Sequence, residues 1–352
     1  MTITLKNDID VLSNSYYKFK FLDNSSIFIT GGTGLLGSLL VKSLVQFNKK
    51  YNKNISIYAL VRNIEKAKSL FKEDINDINF ILGDITEEIK LSAHIDYIFH
   101  FACPTSSKAF VEYPVDTINS IVNGTKNILE FAKSKNAKST LFLSSLEVYG
   151  MPFGNQVLMK ELDSGYLDQM SIRSSYSEGK RLAESLCVSY AKQYNLSVKI
   201  ARLCQTFGAG VAWEDNRVFA DFAKKVINQE DIILKSQGKT LRNYCYTTDA
   251  ILAILTILQK GNSAEAYNVA NKEFALSIRE MADYFISNFS NHSRLIIDTS
   301  ISPEKLGYNP EVKILLDTQK LENLGWKAEI SQEQAFSRLI SHLKQSNKNL
   351  RD

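Results

Sequence analysis

Short apolar runs alternate with helix-spaced apolar positions through the first two-thirds of the chain. Ser26-Ile27-Phe28-Ile29-Thr30 is the first run; it leads into glycines and predicts a buried strand. Leu36, Leu39, Leu40, Ser43 and Leu44 then fall on one side of a helix over 35–47. Runs at 55–61, 79–82, 97–101, 140–143 and 198–201 predict further strands, most of them separated by helical stretches. This alternation predicts an α/β fold, a doubly wound parallel sheet covered on both faces. After Arg202 the segments 205–240 and 265–345 are mixed and more polar, while Tyr246 to Leu258 predicts a helix returning to the sheet. The expected organisation is an extension at 1–22, packing as helix or loop, and a sheet domain at 23–204 to which 241–270 returns. A smaller, mostly C-terminal substrate-binding lobe is expected from 205–240 and 271–345.

Composition narrows the classes. With 352 residues the chain can bury a sizeable core. Its 42 Lys+Arg nearly cancel 38 Asp+Glu, and no basic stripe is visible, which argues against nucleic-acid binding by bulk charge. Sixteen Tyr and 19 Phe against 5 Pro exclude a disordered chain. The longest apolar run, Ala250 to Leu258, is roughly half of the ~20 residues a membrane span needs. Asp8, Asp10 and Asn14 interrupt any signal-peptide core. Cys103, Cys187, Cys204 and Cys245 form no Cys-x-x-Cys pair, and His94, His100, His292 and His342 show no ligand spacing. Reduced thiols, no metal site and a cytoplasmic location are expected.

Candidate chemistry begins at Thr30-Gly31-Gly32-Thr33-Gly34-Leu35-Leu36-Gly37, between the first strand and the first helix. There Gly31 permits a sharp turn, Gly34 a close approach of backbone to a pyrophosphate, and Gly37 close packing of helix on sheet. The helix N-terminus offers free N–H groups to the anion. This context predicts a Rossmann dinucleotide site that includes Thr33, Leu35 and Leu36. The second strand ends Leu60-Val61-Arg62-Asn63, with no carboxylate for a ribose 2′-hydroxyl. NAD is expected, with NADP the alternative if Arg62 faces a 2′-phosphate. Asp84 and Ile85 are expected near the adenine, and Phe101, Ala102 and Cys103 on the cofactor's ribose side.

Tyr176 and Lys180 stand one helical turn apart in Tyr176-Ser177-Glu178-Gly179-Lys180. A phenol near pKa 10 is a weak base at neutral pH, so a neighbouring ammonium favouring the phenolate has a chemical purpose. Ser145 ends a predicted strand, in Leu143-Ser144-Ser145-Leu146-Glu147-Val148-Tyr149-Gly150, where its hydroxyl can hold the same substrate oxygen.

From about residue 25 to 330 the chain resembles the extended short-chain dehydrogenase/reductases of the nucleotide-sugar epimerase/dehydratase family. Within it, the look is closest to UDP-glucuronate decarboxylases. Ala102-Cys103-Pro104-x-Ser106, Pro114-Val115-x-Thr117-Ile118 and Ser145-x-Glu147-Val148-Tyr149-Gly150 carry the likeness. So do Arg173-Ser174-x-Tyr176-x-Glu178-Gly179-Lys180-Arg181, Arg217-Val218 and Arg242-x-x-Cys245-Tyr246. The resemblance implies Ser145, Glu147, Tyr176 and Lys180 as catalytic residues, with Tyr176 and Lys180 also touching cofactor. It implies a sugar-side loop at Pro104, Thr105 and Ser106, and substrate contacts from Arg173, Gln205, Arg217, Val218 and Arg242. Departures are Gln205 and Ile121 where the family has Asn, and Tyr308, Asn309 and Lys313 where it has a late arginine-rich contact.

Glu147 separates the reactions. Members that eliminate water carry Asp-Glu at this pair, and Leu146 supplies no acid for a leaving hydroxyl, whereas a β-keto acid loses CO₂ without one. The expectation is oxidation of a nucleotide-sugar C4 hydroxyl followed by decarboxylation, in surface polysaccharide precursor synthesis. A 4,6-dehydratase-like reaction, a 4-epimerase, an NADPH-dependent 4-keto reductase and a non-catalytic cofactor-binding protein stay as alternatives, with Glu147 structural in some of them. The resemblance implies a homodimer paired through the Tyr176 helix and the helix before it, with Leu182, Ala183, Leu186, Cys187 and Tyr190 offered at helical spacing.

Overall fold

The computed structural model describes residues 1–105, 107–300 and 311–351. The chain opens with helices α1 (Ile3–Asn14) and α2 (Tyr16–Phe19), then runs β1 (Ser26–Thr30), α3 (Leu35–Tyr51), β2 (Ser56–Val61), α4 (Ile64–Phe71), β3 (Asn79–Leu82) and β4 (Tyr97–His100). It continues with α5 (Ser107–Glu112), α6 (Pro114–Lys135), β5 (Ser139–Ser145), β6 (Leu158–Met159), α7 (Ser174–Tyr194) and β7 (Val198–Leu203). Next come β8 (Gln205–Phe207), α8 (Val218–Asn228), β9 (Ile232–Leu234), β10 (Leu241–Tyr246), α9 (Thr247–Lys260) and β11 (Glu265–Val269). The last elements are β12 (Asn271–Ser277), α10 (Ile278–Phe289), β13 (Leu295–Ile297), β14 (Lys313–Leu316), α11 (Gln319–Glu322) and α12 (Gln332–Arg351).

Seven strands form one sheet in the order β11-β7-β5-β4-β1-β2-β3. Every pairing in it is parallel, for example Ile27 beside Ile57 on one side and beside Tyr97 on the other. Ile27, Phe28 and Ile29 are all buried because helices cover both faces, which is why β1 reads as a continuous apolar run instead of an alternating one. Strand order reverses between β1 and β4. In such sheets a crevice opens at the carboxyl ends of these strands.

A second sheet, β12-β10-β14-β6 with β8 beside β10, joins two cores: Phe207, Tyr244 and Phe274 pack with Phe219 and Phe336 in a separate one, while Met159, Ile314 and Leu316 lie in the main core. Leu241–Tyr246, grouped above with the returning segment, pairs there, antiparallel to β12 and parallel to β14 and β8. Only α9 and β11 return to the seven-stranded sheet. Residues 1–22 are helical. Ile9, Leu12, Phe19 and Leu22 are buried in the main core, beside residues of α3 and α9. No helix among the described residues is long and apolar enough to cross a membrane.

Candidate active site

The glycine loop follows β1 directly. Gly31 has φ +70°, and a Cβ there would lie 2.8 Å from the Ala102 nitrogen, so only glycine fits between the β1 turn and the chain leaving β4. A Cβ on Gly37 would lie 2.2 Å from the Gly31 carbonyl, so α3 packs on the loop only because residue 37 has no side chain. Gly34 precedes α3 and no side chain caps the helix, leaving its first N–H groups facing the crevice. Beneath, His100 hydrogen-bonds the Thr30 and Thr125 hydroxyls at 3.0 and 3.2 Å, and Thr30 Oγ1 accepts from the Ala102 N–H. Burial lowers the His100 imidazole to about 3, so it serves as a neutral bridge. This cradle fits a dinucleotide's pyrophosphate.

Beyond the loop, a cavity of about 180 Å³ lies among Leu60, Ile81, Leu82, Gly83 and Asp84. It is where the adenine was expected. Asp84 accepts from the Thr86 hydroxyl and N–H, which hold its carboxyl below the usual range, and the charge of Arg62 adds to this. Ile85 is buried against α6 residues, including Ile128. Arg62 is exposed and forms no hydrogen bond or ion pair among the described residues, whereas Asn63 is occupied capping α4.

The catalytic candidates converge at the end of β5 and the start of α7. Lys180 is buried and donates to the Leu143 carbonyl at 2.7 Å, with its Nζ 5.9 Å from the Tyr176 ring centroid. Lys180 thus donates to the strand and makes no hydrogen bond to the Tyr176 hydroxyl among the described residues. Desolvation pushes Tyr176 well above the usual range; the nearby Cys103 and Glu147 add to this, while a hydrogen bond with Ser145 and the charge of Arg173 oppose it. Ser145 Oγ also accepts from the Glu147 N–H at 3.2 Å. Burial raises the Cys103 thiol, so it is a neutral wall of the pocket.

Glu147 is not a loose surface carboxylate. Arg173 Nη2 lies 3.1 Å from it and Ser177 Oγ donates at 3.2 Å. Arg173, expected on the sugar, instead pairs with Glu147 and covers Phe110. Phe110 stacks on Tyr176, with centroids 4.3 Å apart and planes at 16°. Behind them Glu184 accepts from Ser144 and from Arg202, and Arg181 donates to the carbonyls of Val148, Tyr149 and Gly165, so α7 is fastened to the β5 end.

The lobe contributes less uniformly. Gln205 stands on β8, beside Tyr244. Arg217, expected among the substrate contacts, pairs with Asp215 at 2.6 Å and donates to the Thr206 carbonyl, and Val218 begins α8 behind it. Arg242 differs: its buried Nε has no partner among the described residues. Pro104 is half-buried and Thr105 exposed. Ser106, Tyr308 and Asn309 lie outside the described residues. Phe110, Ser177 and the Thr30–His100 bridge were missed from sequence, where nothing in their spacing marks them. Among the described residues no cluster of His, Cys, Asp and Glu suits a metal.

Residues 27–270 match the NAD dependent epimerase/dehydratase family. UDP-glucuronic acid decarboxylase 6 of Arabidopsis thaliana is 30% identical over 308 residues, covering 84% of this chain and 87% of that one. UDP-glucuronic acid decarboxylase 1 of Danio rerio is 28% identical over 335 residues, 94% of this chain and 76% of that one. In fold, the chain is similar to a UDP-glucose 4-epimerase of Thermotoga maritima (TM-score 0.77, 19% identity, 92% of this chain and 99% of that one). It is also similar to a dTDP-glucose 4,6-dehydratase of Streptomyces venezuelae (TM-score 0.75, 19% identity, 92% and 98%). Glycine cradle, Ser145, Tyr176 and Lys180 thus stand inside a matched stretch that covers more than half the sequence, and the chain is a member of the NAD dependent epimerase/dehydratase family.

Proposed function

We propose that this enzyme oxidises the C4 hydroxyl of a nucleotide-linked uronate, best represented by UDP-glucuronate, and releases its C5 carboxyl as CO₂. The observation that carries this reading is Glu147, held beside Tyr176 by Arg173 and Ser177, while Leu146 is buried in the core and offers no acid. Names of the decarboxylase relatives support it. The Gly31–Gly37 cradle would hold the dinucleotide, and its nicotinamide, when bound, supplies the hydride acceptor that oxidation requires and returns the hydride at the end. Tyr176 as phenolate takes the C4 hydroxyl proton, and Ser145 shares the hydrogen bond. A ketone at C4 makes the C5 carboxylate labile: the C–C bond breaks, its electron pair enters the enolate, and CO₂ leaves. The enolate then takes up a proton at C5 and becomes a ketone again, and in this reading Glu147, or a water it holds, delivers that proton. Arg242 is the lobe residue best suited to a diphosphate oxygen.

Tyr176→Phe keeps the ring and removes the base, so oxidation should fall ~10²–10⁴-fold. Glu147→Gln should oxidise normally and then stall, accumulating reduced cofactor and 4-keto sugar in a single-turnover experiment. Normal turnover by Glu147→Gln would make Glu147 structural and favour an epimerase. One observation supports a second reading: Arg62, exposed at the end of β2 and unpaired among the described residues, suits a 2′-phosphate and hence an NADPH-dependent 4-keto reductase.

A further inference from the structure

Tyr176 must carry negative charge to act as a base, and a charged Glu147 beside it opposes that charge. One residue meets this conflict. Arg173 Nη2 reaches both Glu147 oxygens at 3.1 Å, and the Arg173 charge favours the Tyr176 phenolate. The same guanidinium lies 4.8 Å from the centroid of Phe110, which stacks on Tyr176. Ser175 Oγ donates to the Phe110 carbonyl at 3.0 Å and so ties α5 to α7. Carboxylate, guanidinium and two rings therefore pack as one unit.

Resting on the reading of Glu147 and Tyr176 as the working pair, we propose that Arg173 and Phe110 are positioning residues. Arg173 balances Glu147 so that two anions coexist in one pocket, and Phe110 holds the Tyr176 ring and keeps water from its face. This reassigns Arg173 from sugar contact to charge partner. The groups facing Tyr176 are Cys103 from the chain after β4, Ser145 and Glu147 from the β5 end, Phe110 from α5, and Arg173 and Lys180 from the α7 segment; only the last two are cations.

The test uses the whole protein with bound NAD and UDP-glucuronate as probe. Calorimetric affinity and single-turnover oxidation are measured on the same samples. Arg173→Gln should bind the probe within about twofold of wild type, which also reports an intact fold, yet oxidise it ~10-fold more slowly or worse, because the Glu147 charge then opposes the phenolate unchecked. Adding Glu147→Gln removes that charge and should restore oxidation to within about threefold, and Arg173→Lys should rescue most of it. Phe110→Ala should move the pH midpoint of oxidation downward, since water reaching the phenol relieves part of the desolvation that holds it up, while Phe110→Leu should not. Lost affinity in Arg173→Gln, or no recovery in the double variant, overturns the proposal and makes Arg173 a sugar contact. Failure of wild type to oxidise the probe overturns the functional reading together with the inference.

Discussion

At the scale of single residues, two groups of the proposed cofactor site, Gly34 and Arg62, can be changed without touching the core. Gly34 has extended backbone, and a Cβ there meets only the Gly31 carbonyl at 3.3 Å. Gly34→Asp should therefore fold and yet lose dinucleotide binding, because a carboxylate would stand where the α3 N–H groups await a phosphate. Equilibrium dialysis with NAD checks this; retained affinity would remove the loop from the site. Arg62→Ala should weaken NADP and spare NAD, and equal losses for both would remove Arg62 from cofactor choice. The pairing of Tyr176 with Lys180 is legible in sequence because helical periodicity brings residues four apart together. The Arg173–Glu147 pair is not, since 26 residues and a change of element separate the partners.

At the scale of elements, α1 behaves as a strap that sequence alone left as a helix or a loop. Its Asp8 is buried, accepting from the Tyr246 hydroxyl at 2.6 Å and from Arg338 at 3.1 Å, and Tyr246 in turn accepts from the Ala209 N–H. At the other end, Thr2 meets His342, which accepts from the Gly210 N–H. The strap thus reaches the chain just beyond Gln205. Desolvation raises Asp8 from 3.8 to about 6, against the pull of Tyr246 and Arg338. Folding therefore favours protonated Asp8; that contribution is complete below pH 3.8 and is lost as pH rises through about 6, a change of about 3 kcal/mol. Asp8→Asn should flatten this slope, so its stability relative to wild type should improve between about pH 4 and about pH 7 in denaturant titrations. An unchanged difference across that range would contradict the shift. The six strands β1–β5 and β7 are legible as apolar runs, β3 included although Asn79 and Leu82 at its ends are exposed. Strand β11, Glu-Ala-Tyr-Asn-Val, is not, because Asn268 in its middle is buried through hydrogen bonds to Tyr149, Met159 and Asp317, contacts no local pattern announces.

At the scale of the molecule, the seven-stranded sheet carries the proposed cofactor cradle and the second sheet carries Arg242 on β10. The expected two-fold contact through α7 needs revision in detail. Ala183, Cys187 and Tyr190 are buried, with Leu186 packed against the same cluster, so these four face inward. Leu182, Val188 and Tyr194 on α7, with Val115 and Ile118 on α6, are the large apolar residues left exposed there among the described residues. If these helices pair two copies, wild type should sediment as a dimer at micromolar concentration and Leu182→Glu should shift it toward monomer; a monomeric wild type would contradict the pairing.

The central claim is that C4 oxidation here serves decarboxylation. Incubating the wild-type protein with NAD and UDP-glucuronate, and weighing the product by mass spectrometry, tests it most directly. The account predicts a UDP-pentose, lighter than the substrate by one CO₂, with the cofactor returned to its oxidised form. A product of unchanged mass with inverted C4 configuration, or untouched substrate beside consumption of NADPH by a 4-keto sugar, would contradict it.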